Sequence, residues 1–216
     1  MGQYYNLMIG SKNGKQRKTF MPFMPSEGWG ELMEFSWFGE KENTPLALGK
    51  VLYKKSHRLA TIGDYTNNED YKFPGIPSKV ERPQKKEAWP EADNAGEKVK
   101  ELNKVTYYEF CDFDKFLVNH DTKKYLDMKR YIKNAIMEMD DRSFSSLMVS
   151  RAIPHPLTLL TAVGNGRGWG DFIKGCKGSE DVGKWAWNFL SYEDVPPKDY
   201  KEVHFCFLEQ KEEKEG

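Results

Sequence analysis

Residues 164–172 read Gly-Asn-Gly-Arg-Gly-Trp-Gly-Asp-Phe, and this glycine loop constrains the fold more than any other stretch. Its alternating glycines exclude a helix, because each internal glycine costs about 0.8–1 kcal/mol relative to alanine. If the loop is extended, Asn165, Arg167, Trp169 and Asp171 share one face and the other face is bare. If it folds into turns, glycines at positive φ aim successive backbone N–H groups at an anion.

Either geometry lets a ligand approach the backbone, and we predict binding of an anionic small molecule such as a nucleotide or a phosphorylated metabolite. The guanidinium would pair with the anion and the indole would stack on a ring. The residues of this candidate ligand site are Asn165, Gly166, Arg167, Gly168, Trp169, Asp171, Asp64 and His155. The alternative, a glycine-rich strand or bulge that serves backbone geometry alone, stays open. No Gly-Lys-Ser/Thr follows, which excludes a P-loop, and the two-residue spacing of the glycines excludes a dinucleotide fingerprint.

Two other classes of function stay open. A metal-assisted hydrolase of phosphate esters would use Asp64, His155 and Asp171, but no HxxxH, HxH or DxD spacing supports a metal site, and we assign none. A phage or mobile-element protein would bind a host protein through exposed tryptophans, because aromatic anchors dominate interfaces. The sequence names no cofactor and no catalytic residue, and it leaves open whether the protein is an enzyme.

Charge and cysteine content limit the partners and the cellular compartment that we expect for this protein. Among 216 residues, 33 basic side chains balance 33 acidic ones, so we expect no nucleic-acid partner. Three widely spaced cysteines without a CxxC pair predict reduced thiols, of which Cys176 beside a glycine and a lysine is a candidate reactive one. The absence of a leader pattern and of a long apolar run predicts a cytoplasmic protein without a membrane span.

The pattern of apolar and turn residues predicts a single α+β domain over 1–216, with a mainly antiparallel or mixed sheet and two or three helices. A helix begins at Asn43 or Thr44 before Pro45 and runs to about residue 55. A hairpin over 116–127 precedes a second helix over 128–139, although a helix that begins near residue 121 fits the same apolar spacing. Strands are predicted over 3–9, 17–20, 32–38, 58–62, 105–111, 146–150, 157–163, 185–192 and 203–208.

Residues 66–104 differ from the rest of the chain in composition. They contain four prolines and mixed charges with few large apolar side chains. Such composition predicts a surface insertion or a partly disordered excursion within the domain.

Several segments together resemble a widespread, functionally uncharacterised family of bacterial and phage proteins. The resemblance rests on 1–5 (Met-Gly-Gln-Tyr-Tyr), 32–37, 63–65, 117–120 with 123–125, and above all 155–172. The chain departs from the family pattern at Trp169, where the family has a further glycine, and at Trp187-Asn188, where it has Gly-Asp. The resemblance implies that these segments belong to one domain and implies no activity.

Overall fold

A mixed β-sheet runs through the computed structural model of the protein. The structure describes residues 3, 5–10, 17–20, 32–35, 44–63, 65–66, 110–138, 153–168, 171–172 and 176–211. Within them the strands are β1 Tyr5–Gly10, β2 Arg17–Phe20, β3 His57–Gly63, β4 Phe116–Asn119, β5 Lys124–Asp127, β6 Ala162–Val163, β7 Cys176–Lys177, β8 Asn188–Glu193, β9 Lys201–Glu202 and β10 Leu208–Lys211.

The sheet order is β2-β1-β3-β8-β4-β5-β9, with β6 beside β3, and β7 and β10 form a separate ladder. Neighbours along this order pair antiparallel, except that β9 lies parallel to β5, and β6 lies parallel to β3. The predicted class, a single α+β domain with a mixed sheet, is confirmed.

Helices cover one face of this sheet. In the described part of the chain they are α1 Leu32–Phe35, α2 Thr44–Leu52, α3 Met128–Glu138 and α4 Pro156–Leu160, with a 3₁₀ turn at Ser179–Asp181. Their apolar side chains pack with those of the strands in one main core. None of the helices described is long and apolar enough to cross a membrane.

Strand β8 shows that the sheet has two different faces. Leu190 and Tyr192 are buried in the main core, so Phe189, Ser191 and Glu193 point to the opposite face. Residues paired across strands share a face, and Arg58 of β3 pairs with Phe189. The second face carries a smaller apolar cluster, formed by Ala60, Ile62, Val163, Ala186 and Trp187.

Several predicted elements occur as expected. The hairpin has its strands at β4 and β5, and the following helix is α3, so the competing helix from residue 121 is wrong. The helix with Pro45 in its first turn is α2, and the strand over 17–20 is β2. Strands predicted over 3–9 and 58–62 correspond to β1 and β3.

Two predicted strands are instead helical. The apolar block at 32–38 contains helix α1 over its first four residues. The run 157–163 forms α4 and then the two-residue strand β6. His155 caps α4, and Pro156 fits its first turn. Because α4 is buried on every side, its sequence lacks the periodicity that separates a helix from a strand.

Two other predicted strands are displaced. Strand β8 begins at Asn188 rather than at residue 185, because 183–187 turn with Gly183 at φ 81° and Trp187 at φ 57°. Between β9 and β10, the segment 203–207 forms no regular strand. Its Phe207 is buried in the main core and stacks on Phe205. The predicted strand 146–150, most of 105–111, and 67–104 of the predicted excursion lie outside the described residues.

Candidate functional site

The glycine loop leaves the sheet at the end of β6 and turns at once. Gly164 and Gly166 have φ of 88° and 89°, a region that glycine enters without steric cost. The loop is therefore not extended, and its polar side chains do not share a face. Of the two geometries considered from the sequence, the structure adopts the turn.

Successive backbone N–H groups of the loop converge on one anion, and that anion belongs to the chain itself. Asp171 Oδ2 accepts hydrogen bonds from the N–H groups of Gly166, Arg167 and Gly168 at 2.8, 2.8 and 3.0 Å. Its Oδ1 accepts a hydrogen bond from the hydroxyl of Tyr5 at 2.7 Å. The carboxylate is buried and bonded through both oxygens, so it occupies the position that a bound anion takes in other such nests.

Asn165 closes the loop from the other side. Its Oδ1 accepts from the backbone N–H of Phe172, and its Nδ2 donates to the Phe172 carbonyl, each at 2.9 Å. These two bonds imitate a strand pair between positions seven residues apart. Phe172 is fully buried against Phe207, so the loop is fixed to the main core at this point.

The loop rests on Gln3, next to the first strand. Gln3 Nε2 donates to the Gly164 carbonyl at 3.1 Å. A side chain at Gly168 would place its Cβ 2.6 Å from the Gln3 backbone nitrogen, and one at Gly63 would place it 1.8 Å from Gln3 Nε2. Among the described residues, no hydrogen-bond partner reaches the buried Gln3 Oε1. Two of these glycines therefore serve close packing on Gln3.

Arg167 and Gly166 form the outer surface of the loop, and both are exposed. Arg167 Nη1 donates to the Tyr65 carbonyl at 2.8 Å, which orients the guanidinium. A Cβ built at Gly166 would meet no atom of the residues that the structure describes within 4 Å. The surface of the loop thus combines the oriented guanidinium of Arg167 with the exposed backbone of Gly166.

His155 lies at the beginning of α4, where both of its ring nitrogens are hydrogen-bonded within the protein. Its Nδ1 accepts from the backbone N–H of Leu157 at 3.1 Å, so Nε2 carries the proton and donates to Asp112 Oδ2 at 2.5 Å. Both side chains are completely buried. Tyr192 also donates to this carboxylate at 3.4 Å, and burial raises the pKa of the Tyr192 hydroxyl well above its usual value.

The predicted site residues therefore separate into three groups. Asn165, Gly166, Arg167, Gly168 and Asp171 meet in one loop. His155 bonds instead to Asp112 and to the backbone of α4. Asp64 and Trp169 lie outside the described residues.

The described residues contain no group of three or more His, Cys, Asp and Glu side chains arranged to hold a metal ion. The ring nitrogens of His155 and the oxygens of Asp171 are already bonded within the protein. The candidate thiol Cys176 is buried. Burial raises the pKa of the Cys206 thiol, which the nearby Lys177 only partly offsets.

Comparisons of the chain with profiles of known protein families, with curated proteins and with solved structures find no match. The family resemblance noted from the sequence therefore stays a prediction.

Two side chains that support the loop were absent from the sequence prediction, namely Gln3 and Tyr5. Tyr5 begins β1 and Gln3 lies just before it, and both are more than 160 positions away from their partners in the chain. The pairing of β1 with β3 brings them under the loop, with Tyr5 opposite Gly63. The only local signal was a polar residue beside an aromatic one at the start of a predicted strand.

Proposed function

We propose that the protein binds an anionic small molecule, a nucleotide or a phosphorylated metabolite, at the outer surface of the glycine loop. The observation that supports this proposal is the exposed guanidinium of Arg167 beside the unobstructed backbone of Gly166. Binding residues commonly lie on surface loops that a rigid scaffold positions.

The internal carboxylate defines how such a ligand binds. Because Asp171 takes the converging N–H groups, the ligand meets the side chain of Arg167 rather than the backbone nest. A guanidinium has five N–H donors in a planar fork, and this geometry matches a two-pronged contact to a phosphate. The loop needs no rearrangement on binding, which lowers the entropic cost of association.

Calorimetric titration with ATP, GTP, AMP, glucose 6-phosphate and inorganic phosphate tests the proposal. We expect Arg167→Ala to weaken binding at least about tenfold, and Arg167→Lys to fall between, since lysine keeps the charge but not the fork. Arg130→Ala is the matched control, because Arg130 is a half-exposed arginine held by Glu202 on another element.

Equal affinity of wild type and Arg167→Ala for every compound, or no binding by either, would contradict the proposal. The compounds also separate the recognition of a phosphate from that of a base. If only ATP, GTP and AMP bind, the base contributes. If inorganic phosphate binds as well, Arg167 recognises the anion alone.

A further inference from the structure

A second polar cluster lies on the sheet face opposite the main core, around His120. Its Nε2 is 2.9 Å from Ser191 Oγ and 3.3 Å from Ser56 Oγ, and its Nδ1 is 3.1 Å from the Tyr200 hydroxyl. Ser191 Oγ donates in turn to Glu193 Oε1 at 2.7 Å. The cluster is near the beginning of β3, whereas the glycine loop contacts its end, about 20 Å away by strand length.

The hydrogen bonds around His120 determine which ring nitrogen carries the proton. A carboxylate only accepts, so the single hydroxyl proton of Ser191 goes to Glu193. Ser191 can then only accept from the ring, and Nε2 must carry the proton. In the neutral ring Nδ1 is left as an acceptor, and it receives the hydroxyl proton of Tyr200.

The four groups therefore form one directional relay, in which Tyr200 donates to His120, His120 to Ser191, and Ser191 to Glu193. A nucleophile bonded to a histidine, with the other nitrogen of the ring held by a group leading to a carboxylate, is the arrangement of nucleophilic catalysis. Here the hydroxyl that points at the basic nitrogen belongs to Tyr200. We propose that Tyr200 is a nucleophile that takes an acyl group from a carboxylic ester.

The step balances without any further reactant. The phenolic oxygen of Tyr200 forms a bond to the acyl carbon while the bond between that carbon and the leaving alkoxide or phenoxide breaks. The phenolic proton passes to Nδ1 of His120. The imidazolium formed in this way gives the proton to the leaving oxygen, so an alcohol or phenol departs and the ring is neutral again. Ser191 and Glu193 keep their protonation states and hold the ring so that Nδ1 faces the phenol. Water then hydrolyses the acyl-tyrosine and restores the phenol.

Exposure distinguishes this histidine from the other well-bonded histidine of the domain. His120, Tyr200 and Glu193 are all partly exposed, so the cluster adjoins the protein surface. His155 is completely buried with its carboxylate partner. Edge-to-face contacts with Phe189 and Tyr200 hold the His120 ring, and the ion pair of Arg58 with the neighbouring Asp121 lies on the same side.

The test uses 4-nitrophenyl acetate as acyl donor, stopped-flow release of 4-nitrophenol, and peptide mass mapping of the acetylated side chain. Tyr53 is the matched reference within the same chain, because it is also a partly exposed tyrosine whose hydroxyl bonds to a carboxylate, without an intervening histidine. We expect Tyr200 to be acetylated about 100-fold faster than Tyr53, the factor typical of a positioned base. Tyr200→Phe loses the fast phase, and Tyr53→Phe keeps it.

Ser191 is a positioning residue in this scheme. Ser191→Ala removes the group that fixes the ring tautomer, so we expect the acetylation rate of Tyr200 to fall about tenfold while Ser191→Thr keeps it. Circular dichroism verifies that each variant is folded. Acetylation of Tyr200 no faster than that of Tyr53, or an unchanged rate in folded Ser191→Ala, would overturn the proposal. Neither result bears on binding at Arg167.

Discussion

Replacing Asp171 with alanine tests whether one carboxylate holds the glycine loop together. The substitution removes four hydrogen bonds at once, three from backbone N–H groups and one from the hydroxyl of Tyr5. Tyr5 is buried, so its hydroxyl loses an acceptor away from water. The N–H groups at Gly166 and Arg167 are on the exposed side of the loop, and water replaces part of what they lose.

The expected loss in free energy of unfolding follows from these two environments, one buried and one partly exposed. A buried donor that loses its acceptor costs about 1–3 kcal/mol, and a bond that water partly replaces costs about 0.5 kcal/mol or more. One buried and three partly exposed bonds together lower the free energy of unfolding by about 3 kcal/mol. In a chain of this length that shift lowers the melting temperature by about 6–12 °C. Asp171→Asn keeps an acceptor and the shape, so we expect about half of the effect.

Urea denaturation measures the loss of stability, and amide hydrogen exchange shows where it occurs. In folded Asp171→Ala, the amides of Gly166, Arg167 and Gly168 exchange faster, while those of β3 keep their protection. Asp199→Ala is the control, since Asp199 is an exposed aspartate and surface changes are usually within about 0.5 kcal/mol. Equal stability of the two variants, with unchanged loop exchange, would refute the internal-anion account.

Three other perturbations have outcomes that the structure determines. Gly168→Ala forces its Cβ against the Gln3 backbone and costs about 2–3 kcal/mol or more. Gly166→Ala meets no atom in the described part of the chain and costs only about 1 kcal/mol for its positive φ, so equal losses in urea denaturation would refute this contrast. A hydrogen bond from Lys54 lowers the pKa of Asp194 from 3.8 to about 2. The contribution of Asp194 to folding stability is therefore present above about pH 4 and disappears as the pH falls towards 2. Asp194→Asn flattens the acid-unfolding curve in this range, and an unchanged curve would contradict the prediction. Burial raises the pKa of Tyr131 well above 10.0, so the folded state loses stability as the pH rises beyond that value, and Tyr131→Phe reduces this loss in alkaline denaturation.

The elements that were predicted correctly are those whose conformation is set by residues close to one another in the sequence. The hairpin of β4 and β5 is an example, since Asn119 Oδ1 accepts from the N–H groups of Asp121 and Thr122 and builds the turn locally. Helix α2 is another, because a proline in the first turn of a helix is recognised directly from the chain. Such local side-chain interactions favour the same turn or helix start whatever the rest of the fold is.

The prediction from sequence was wrong at helix α4, because burial on all sides removes the alternation of apolar and polar residues. Helix α4 and strand β6 divide one apolar run, and every residue of both is buried. His155 caps the beginning of α4, and Thr161 lies at its end before β6, where its hydroxyl donates back to the Leu157 carbonyl at 2.8 Å. Neither bond has a periodic signature, so hydrophobic spacing carries no information about this boundary.

The glycine loop contains both the nest and the anion that fills it. Asp171 is within six positions of each N–H group it accepts from, so the pairing was accessible from the sequence alone. A glycine run that is followed at this short spacing by an aspartate can satisfy its own N–H groups, and a ligand must then compete with a tethered carboxylate at high effective concentration. An external anion at the nest would have to displace Asp171 and leave the Tyr5 hydroxyl without this acceptor. We therefore expect an anion bound at this loop to be recognised through Arg167, and backbone nests elsewhere are best tested first for an internal carboxylate.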